Sequence, residues 1–262
     1  MILAGTSERP SRLPRDGRIV ERRRLAWLLL AFLVGGACSN TTLDLFDPDL
    51  GLLGHWTLDE SQPGGAALDS SGFGNDGTPS AGPPVPTPNV PPVHFPDPYG
   101  LSFHGQAQWI DLGNPALLNL GGALTVAAWI RPASTAGFLD VVAHGYNQNP
   151  KFDLALRIRD GNYEFTMWDI DGDHAATAAL PASDVGAWVH LCGVFDGSAY
   201  RIYRNGALAA STASSAAPQA NVDTDWSIGG IPSDRQWSGE IDDVRLYGRA
   251  LAAAEIAALY QR

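Results

Sequence analysis

Residues Val189 to Gly206 read VHLCGVFDGSAYRIYRNG. Apolar and polar residues alternate on both sides of Asp196-Gly197, and the stretch ends at Asn205-Gly206. Asp-Gly and Asn-Gly between alternating runs mark hairpins, because a type I′ turn needs positive φ at both central residues. The stretch is therefore expected to form antiparallel strands. Working outward, WSGEIDDVRLYGRALAAAEIAALY (Trp237–Tyr260) reads as a strand followed by a short Ala-rich helix over Ala252–Tyr260, placed to close one end of the sheet. In KFDLALRIR, Phe152, Leu154, Leu156 and Ile158 share one face, and Asp153, Arg157 and Arg159 share the other. That is the period of a half-buried strand, and Asp160-Gly161 turns it into Tyr163–Trp168. Leu124, Val126, Ala128 and Ile130 form another apolar face, with Trp129 opposite. Thr78–Pro98 holds nine Pro, so it cannot be a central strand and must run over the surface. Short strands punctuated by Gly, Asn and Asp predict an all-β, two-sheet antiparallel sandwich with one C-terminal helix.

The 262 residues suit one sandwich plus a targeting segment. Arg22-Arg23-Arg24 precede the apolar run Leu25–Val34, and Gly35-Gly36-Ala37-Cys38 follow it. A basic start, a short apolar run and small residues before a cut site describe a secretory signal, and the run is too short to span a bilayer. Cys38 behind Gly-Gly-Ala resembles a bacterial lipobox, except that Gly35 stands where Leu is usual. The expected organisation is a signal over residues 1–37, a lipidated Cys38 with its tether over 38–50, and one domain over 51–262. Translation from a later start near Val20 would also accommodate the long polar leader. A lipid-anchored envelope protein is expected, with plain secretion as the alternative.

The first 37 residues hold seven Arg against three acids, which leaves ten Lys/Arg against 25 Asp/Glu in the rest. So acidic a domain excludes nucleic acid as a partner, and contact with anionic membrane other than through the anchor. With Cys38 lipidated, Cys192 has no disulfide partner, so the fold must rest on its core. Cys192 shares a strand face with Trp188, His190 and Val194 and reads as a small buried hydrophobe.

Five segments in order resemble the concanavalin A-like lectin/glucanase superfamily, in its laminin G-like branch. They are HWTLDE with ALDSSGFGNDGT (His55–Thr78), LSFHGQAQWIDLG (Leu101–Gly113), ALTVAAWIRP (Ala123–Pro132), the Val189–Gly206 stretch, and the Trp237–Tyr260 block. The resemblance implies a jelly-roll sandwich over roughly Gly51 to Arg262. It leaves function open, since this fold serves lectins, adhesion modules, pentraxins and glycosidases.

Glycosidases of the superfamily carry a Glu-x-Asp-x-(x)-Glu strand whose period-2 geometry gathers the acids in one cleft. Here Glu240-Ile241-Asp242 is followed by Val244 and Arg245 where the second Glu belongs. Without a paired acid and nucleophile, no catalytic residue is expected. The resemblance also implies a structural calcium site at Asp69, Asn75 and Asp242. The competing reading is that Asp69 and Asn75 make Asx turns and Asp242 bonds backbone amides. Asp169-Ile170-Asp171-Gly172-Asp173 lacks the Glu an EF-hand needs twelve residues along, and reads as a solvated hairpin tip. Trp56, Trp129 and Trp188 match family core positions. Trp109, Trp168, Trp226 and Trp237 lie near strand ends, and Trp109, Trp168 and Trp237 are the favoured candidates for stacking on a sugar. The six His lack metal-ligand spacing, and no Ser-His-Asp signature is visible. The expected function is non-catalytic glycan binding by a monomer at the cell envelope. A module that binds a cell-surface protein is the alternative, and a glycosidase a distant third.

Overall fold

The computed structural model describes residues 47–145, 153–219, 223–232 and 234–262. In chain order the strands are β1 (Leu52–Trp56), β2 (Thr78–Pro79), β3 (Val85–Thr87), β4 (Gly100–His104), β5 (Ile110–Gly113), β6 (Leu124–Pro132), β7 (Phe138–His144) and β8 (Asp153–Arg159). They continue as β9 (Asn162–Asp169), β10 (Gly172–Ala179), β11 (Val189–Phe195), β12 (Ala199–Arg204), β13 (Ala207–Ala213), β14 (Trp226–Ile228) and β15 (Ser238–Tyr247), and α1 (Ala253–Tyr260) follows. A front sheet runs β10-β9-β8-β7-β14-β5-β2, and a back sheet runs β13-β12-β11-β6-β15-β4-β3, with β1 added alongside β15. Every pairing is antiparallel. The Pro-rich segment contributes only β2 and β3, each at a sheet edge, where a missing N–H costs no ladder bond.

The alternating runs land as their period requires. Leu154, Leu156 and Ile158 join the core between the sheets, together with Leu124, Val126, Ala128 and Ile130 of β6. Asp160-Gly161 and Asn205-Gly206 each place two consecutive residues at positive φ, which is the type I′ geometry. Asp196-Gly197 differs. Only Gly197 has positive φ, and Asp196 Oδ1 accepts the N–H groups of Ser198 and Ala199 in an Asx turn. The helix was expected to close one end of the sheet. It lies instead on the outer face of the back sheet, where Ile256 and Leu259 pack with Cys192, Tyr203 and Tyr247. Cys192 is thus buried as expected, and burial pushes its thiol pKa up, away from nucleophilic use.

One edge of β15 has two partners. Its first half pairs with β4, down to Ile241↔Leu101, and its second half pairs with β1, from Val244↔Trp56 onward. Between them the ladder to β6 shifts register between Asp242 and Arg245, and Asp243 takes φ 44°, unusual for a non-Gly residue. The chain leaves β1 toward Asp59 and returns through Asp97 into β4 beside this break. The break therefore gathers irregular backbone and carboxylates on the outer face of the back sheet.

Candidate functional site

Asp242 is fully buried at the break in β15. Its Oδ1 accepts the Asp243 N–H at 2.8 Å, while its buried Oδ2 has no partner. Gly100 makes the room for that oxygen, since a Cβ on residue 100 would sit 2.6 Å from it. Burial, then the charges of Asp97 and Asp243, push the Asp242 pKa up to about 10. Asp97 carries a second buried and unpartnered carboxylate oxygen. Burial and the charges of Asp59 and Asp243 raise its pKa to about 7. Asp59 itself anchors the start of β4, its Oδ1 accepting the Tyr99 N–H at 3.3 Å. Asp243 goes the other way. Burial disfavours its charge, but hydrogen bonding from His55 and the Arg245 guanidinium hold its pKa well below the usual carboxylate range.

Across the ladder from Asp242 stands Trp129. It projects outward from β6, and with Tyr260, Pro92, His94 and Gln261 it lines a cavity of about 220 Å³. The Trp129 and Tyr260 ring centroids are 5.6 Å apart with planes tilted by 36°. His190 closes the far side edge-on to Trp129 at 5.4 Å, and its burial keeps it neutral, with the pKa lowered to about 4. The His94 N–H donates to the Arg262 carbonyl at 2.5 Å, which fixes the proline-rich segment against the end of the helix. Trp129 is only 2% exposed and forms the floor, so the open lining is the half-buried Tyr260 ring with an imidazole and a carboxamide at the rim.

The sequence-expected residues scatter around this centre. Trp237 is a correction: it is fully buried in the core, its indole N–H donating to the Glu240 carbonyl at 3.3 Å, so no sugar can stack on it. Trp226 is buried as well, stacked on His144 at 4.3 Å. Trp109 and Trp168 are half-buried, the latter on β9 and the former at the start of β5. Those strands lie four positions apart in the front sheet, about 19 Å at normal strand spacing, so the two rings do not share a subsite. Trp129, assigned to the core by the resemblance, is buried as that reading requires, and it also forms the floor of the cavity.

The calcium residues are only partly brought together. Asp69 Oδ1 accepts the N–H groups of His55 and Ser71, and its Oδ2 accepts that of Asn75. These bonds outweigh its partial burial and lower its pKa. The Asn75 side-chain amide donates to the Leu53 carbonyl, and the Asn75 main-chain carbonyl accepts the Trp56 indole N–H. Asp69 and Asn75 therefore serve the loop in the Asx fashion, while Asp242 lies in the β15 break, where the charges of Asp97 and Asp59 act on it. Among the described residues no three His, Cys, Asp or Glu side chains converge tightly enough to make a metal site by themselves. At the hairpin tip, Asp173 is ion-paired to Arg159 at 2.9 Å and Asp169 caps the turn by accepting the Asp171 N–H. Glu240 is paired with Arg131 at 3.0 Å, which leaves it no acid partner in an open cleft. Cys38 lies outside the described residues.

One arrangement was not visible in the sequence. His55 Nε2 lies 2.6 Å from Asp243 Oδ1, and its Nδ1 lies 2.8 Å from Ser70 Oγ. The Ser70 hydroxyl also reaches the carbonyl of the same His55 at 2.9 Å, and Asp243 is paired with Arg245 at 3.0 Å. The set stitches β1, the Gly-rich loop and the β15 bulge together.

A sequence profile of the concanavalin A-like lectin/glucanases superfamily, of the laminin G type, matches residues 104–257. No curated protein matches the chain. Among solved structures it is similar to domain 4 of AbnA, a GH43 extracellular arabinanase from Geobacillus stearothermophilus, in complex with arabinotriose. The TM-score is 0.64 at 20% identity, over 80% of this chain and 98% of that one. It is also similar to the binding domain of Paraclostridial Mosquitocidal Protein 1, with TM-score 0.63 at 18% identity over 81% of this chain. A third likeness is to the binding domain of botulinum neurotoxin DC in complex with rat synaptotagmin II, with TM-score 0.58 at 11% identity over 81% of this chain. The chain spans about half of each toxin domain, 52% and 51% respectively. At these identities the likeness is one of fold.

Proposed function

The chain belongs to the concanavalin A-like lectin/glucanase superfamily, and from that premise we propose that it is a non-catalytic carbohydrate-binding domain whose sugar seats in the Trp129–Tyr260 cavity. The carrying observation is the cavity itself. The half-buried Tyr260 ring, backed by the buried Trp129, offers a surface for the apolar face of a pyranose or furanose ring, while His94 and Gln261 are placed to hydrogen-bond its hydroxyls. Its volume of about 220 Å³ suits one or two sugar units rather than a long chain. Binding by so few groups first offsets several kcal/mol of lost freedom, so affinity should be weak, on the order of micromolar to millimolar. The lack of an acid pair beside Glu240 supports binding without hydrolysis. The localisation belongs to the same proposal: secretion through the N-terminal segment and a lipid anchor at Cys38.

The test is a glycan array followed by calorimetry with the purified chain. Tyr260→Ala and His94→Ala should each weaken binding at least ten-fold, and no reducing ends should appear. Binding unaffected by both substitutions would move the site elsewhere. A second reading, a protein-binding module, is favoured by Leu68 and Phe73, which are 58% and 56% exposed around the Gly-rich loop. A protein partner lost on Phe73→Ser, with no glycan bound, would establish it.

A further inference from the structure

No Ser-His-Asp signature is visible along the chain, yet the fold brings the three residue types together in triad order. Ser70 Oγ lies 2.8 Å from His55 Nδ1, and His55 Nε2 lies 2.6 Å from Asp243 Oδ1. A nucleophile within hydrogen-bond reach of a base, with the base held by a third group, is the arrangement that activates a serine. The tautomer follows from the contacts. Asp243 stays ionised between His55 and Arg245, and a carboxylate only accepts. Nε2 therefore carries the hydrogen of the neutral imidazole, which leaves the Nδ1 lone pair facing the Ser70 hydroxyl. That hydroxyl also reaches the His55 carbonyl at 2.9 Å, but of the two acceptors only an imidazole is basic enough to take the proton away.

The surroundings suit a small neutral ester. Ser70 is exposed and Asp243 is buried, so a substrate meets the hydroxyl end of the set. The loop is pinned: the Ser70 N–H donates to the His55 carbonyl at 2.8 Å, and Asp69 accepts the N–H groups of His55, Ser71 and Asn75. Gly72 and Gly74 follow at φ 91° and 77°, with nothing within 4 Å of where a Cβ would stand. Among the described residues their N–H groups donate to no protein acceptor, so they are the loop's remaining donors for a developing oxyanion. Leu68 and Phe73, on either side of Ser70 in the chain, are 58% and 56% exposed and add apolar surface. The carboxylates of Asp69 and Asp76, joined at 2.8 Å through the Asp69 N–H, oppose an anionic substrate.

We propose that Ser70, with His55 as its base and Asp243 as a positioning residue, hydrolyses short acyl esters at this loop. Ser70 Oγ adds to the ester carbonyl carbon as its proton passes to His55 Nδ1. Collapse expels the alcohol, which takes that proton and leaves acyl-Ser70. Water then adds to the acyl carbon and gives one proton to Nδ1, and the carboxylic acid leaves as Ser70 Oγ takes that proton back. Asp243 touches no reacting atom; it fixes the tautomer and stabilises the imidazolium. None of the three residues lines the Trp129–Tyr260 cavity, so the proposal goes beyond the carbohydrate reading and is tested apart from it.

The probes are p-nitrophenyl acetate and a fluorophosphonate that labels activated serines, each with the purified full chain. Turnover should exceed that of equimolar free imidazole at least about 100-fold, and mass spectrometry should place one label on Ser70. Ser70→Ala and His55→Gln should each lower kcat/KM at least about 100-fold and abolish labelling. Ser70→Ala removes one exposed hydroxyl, so it should melt within about 4 °C of the wild type and leave any glycan binding unchanged. Asp243→Asn, assayed well below its melting temperature, should lower kcat at least about ten-fold with KM unchanged, a split that a purely structural brace would not produce. Turnover retained in Ser70→Ala would overturn the site, because imidazoles acting alone would then account for it. Turnover no faster than free imidazole, or no label on Ser70, would reduce the set to a brace and refute the proposal.

Discussion

Trp237→Ala separates a core residue from a ligand-stacking one by magnitude. Trp237 sits immediately before β15 with no solvent exposure, packed among the residues between the sheets, and its main-chain N–H donates to the Gly229 carbonyl at 2.9 Å. A buried Trp removes about 150–250 Å² from water, which at about 25 cal/mol per Å² gives roughly 4–6 kcal/mol. Measured truncations of large buried aromatics cost about 3–5 kcal/mol, with the cavity left behind included. For a domain of this size, 1 kcal/mol shifts the melting temperature by about 2–4 °C, so a fall of roughly 6–20 °C is expected. A ring kept on the surface for a sugar would cost within about 0.5 kcal/mol on truncation. Differential scanning calorimetry of wild type and variant gives the comparison directly. A variant melting within about 2 °C of wild type would refute the core assignment, most sharply if it had also lost glycan affinity.

Two further outcomes follow from the N-terminus and from a buried histidine. Cys38→Ser should shift the protein out of the detergent-soluble membrane fraction or leave it unprocessed; a normally cleaved, membrane-bound variant would remove the anchor from the proposal. Burial lowers the His144 pKa from 6.5 to about 4. Between those values the unfolded chain binds a proton that the native one does not, so stability falls as pH drops from 6.5 to 4, by up to about 3 kcal/mol. His144→Gln should reduce the slope of urea-unfolding stability against pH by about 1.4 kcal/mol per unit over that window, and an unchanged slope would count against a neutral buried imidazole.

The parts of this fold legible in the sequence are those whose signal is local. Period-2 alternation from Leu154 to Ile158 and the Asp160-Gly161 and Asn205-Gly206 turns are set by neighbouring residues, and the strands and type I′ geometry appear where they were expected. Asp196-Gly197, with its Asx turn, is the local exception, and the rest of what the sequence left out concerns long-range placement. Trp237 was assigned to a strand end open to ligand, but the chain dives between the sheets before β15 begins. Trp129 sat opposite an apolar face, and alternation alone could not say that the helix end and the Pro92–His94 segment would roof it into a cavity. Asp97 was hidden because nine Pro between Thr78 and Pro98 argue only that the segment is irregular, not where it returns. The Ser70–His55–Asp243 contacts join residues up to 188 positions apart, beyond any motif spacing.

The position of the candidate site follows from a constraint of sheet building. One strand edge can serve two partners only if the ladder is interrupted between them, and β15 does so between Ile241, paired with Leu101, and Val244, paired with Trp56. At such an interruption backbone groups on three segments lack ladder partners, and side chains of consecutive residues turn to the same face. Asp242 and Asp243 are those residues here, and the protein treats them differently. Asp243 has His55 and Arg245 within 2.6–3.2 Å and stays charged as a brace. Asp242 has one amide and a hollow under Gly100. A brace alone would be satisfied by one carboxylate. The second is a cost to stability, and its cross-strand neighbour is Trp129, the floor of the cavity. Substituting both members of the pair therefore distinguishes their roles: Asp243→Asn should lower the melting temperature measurably, whereas Asp242→Asn, which removes a buried carboxylate with one unpartnered oxygen, should leave it within about 2 °C of wild type or raise it, and equal losses would refute the distinction.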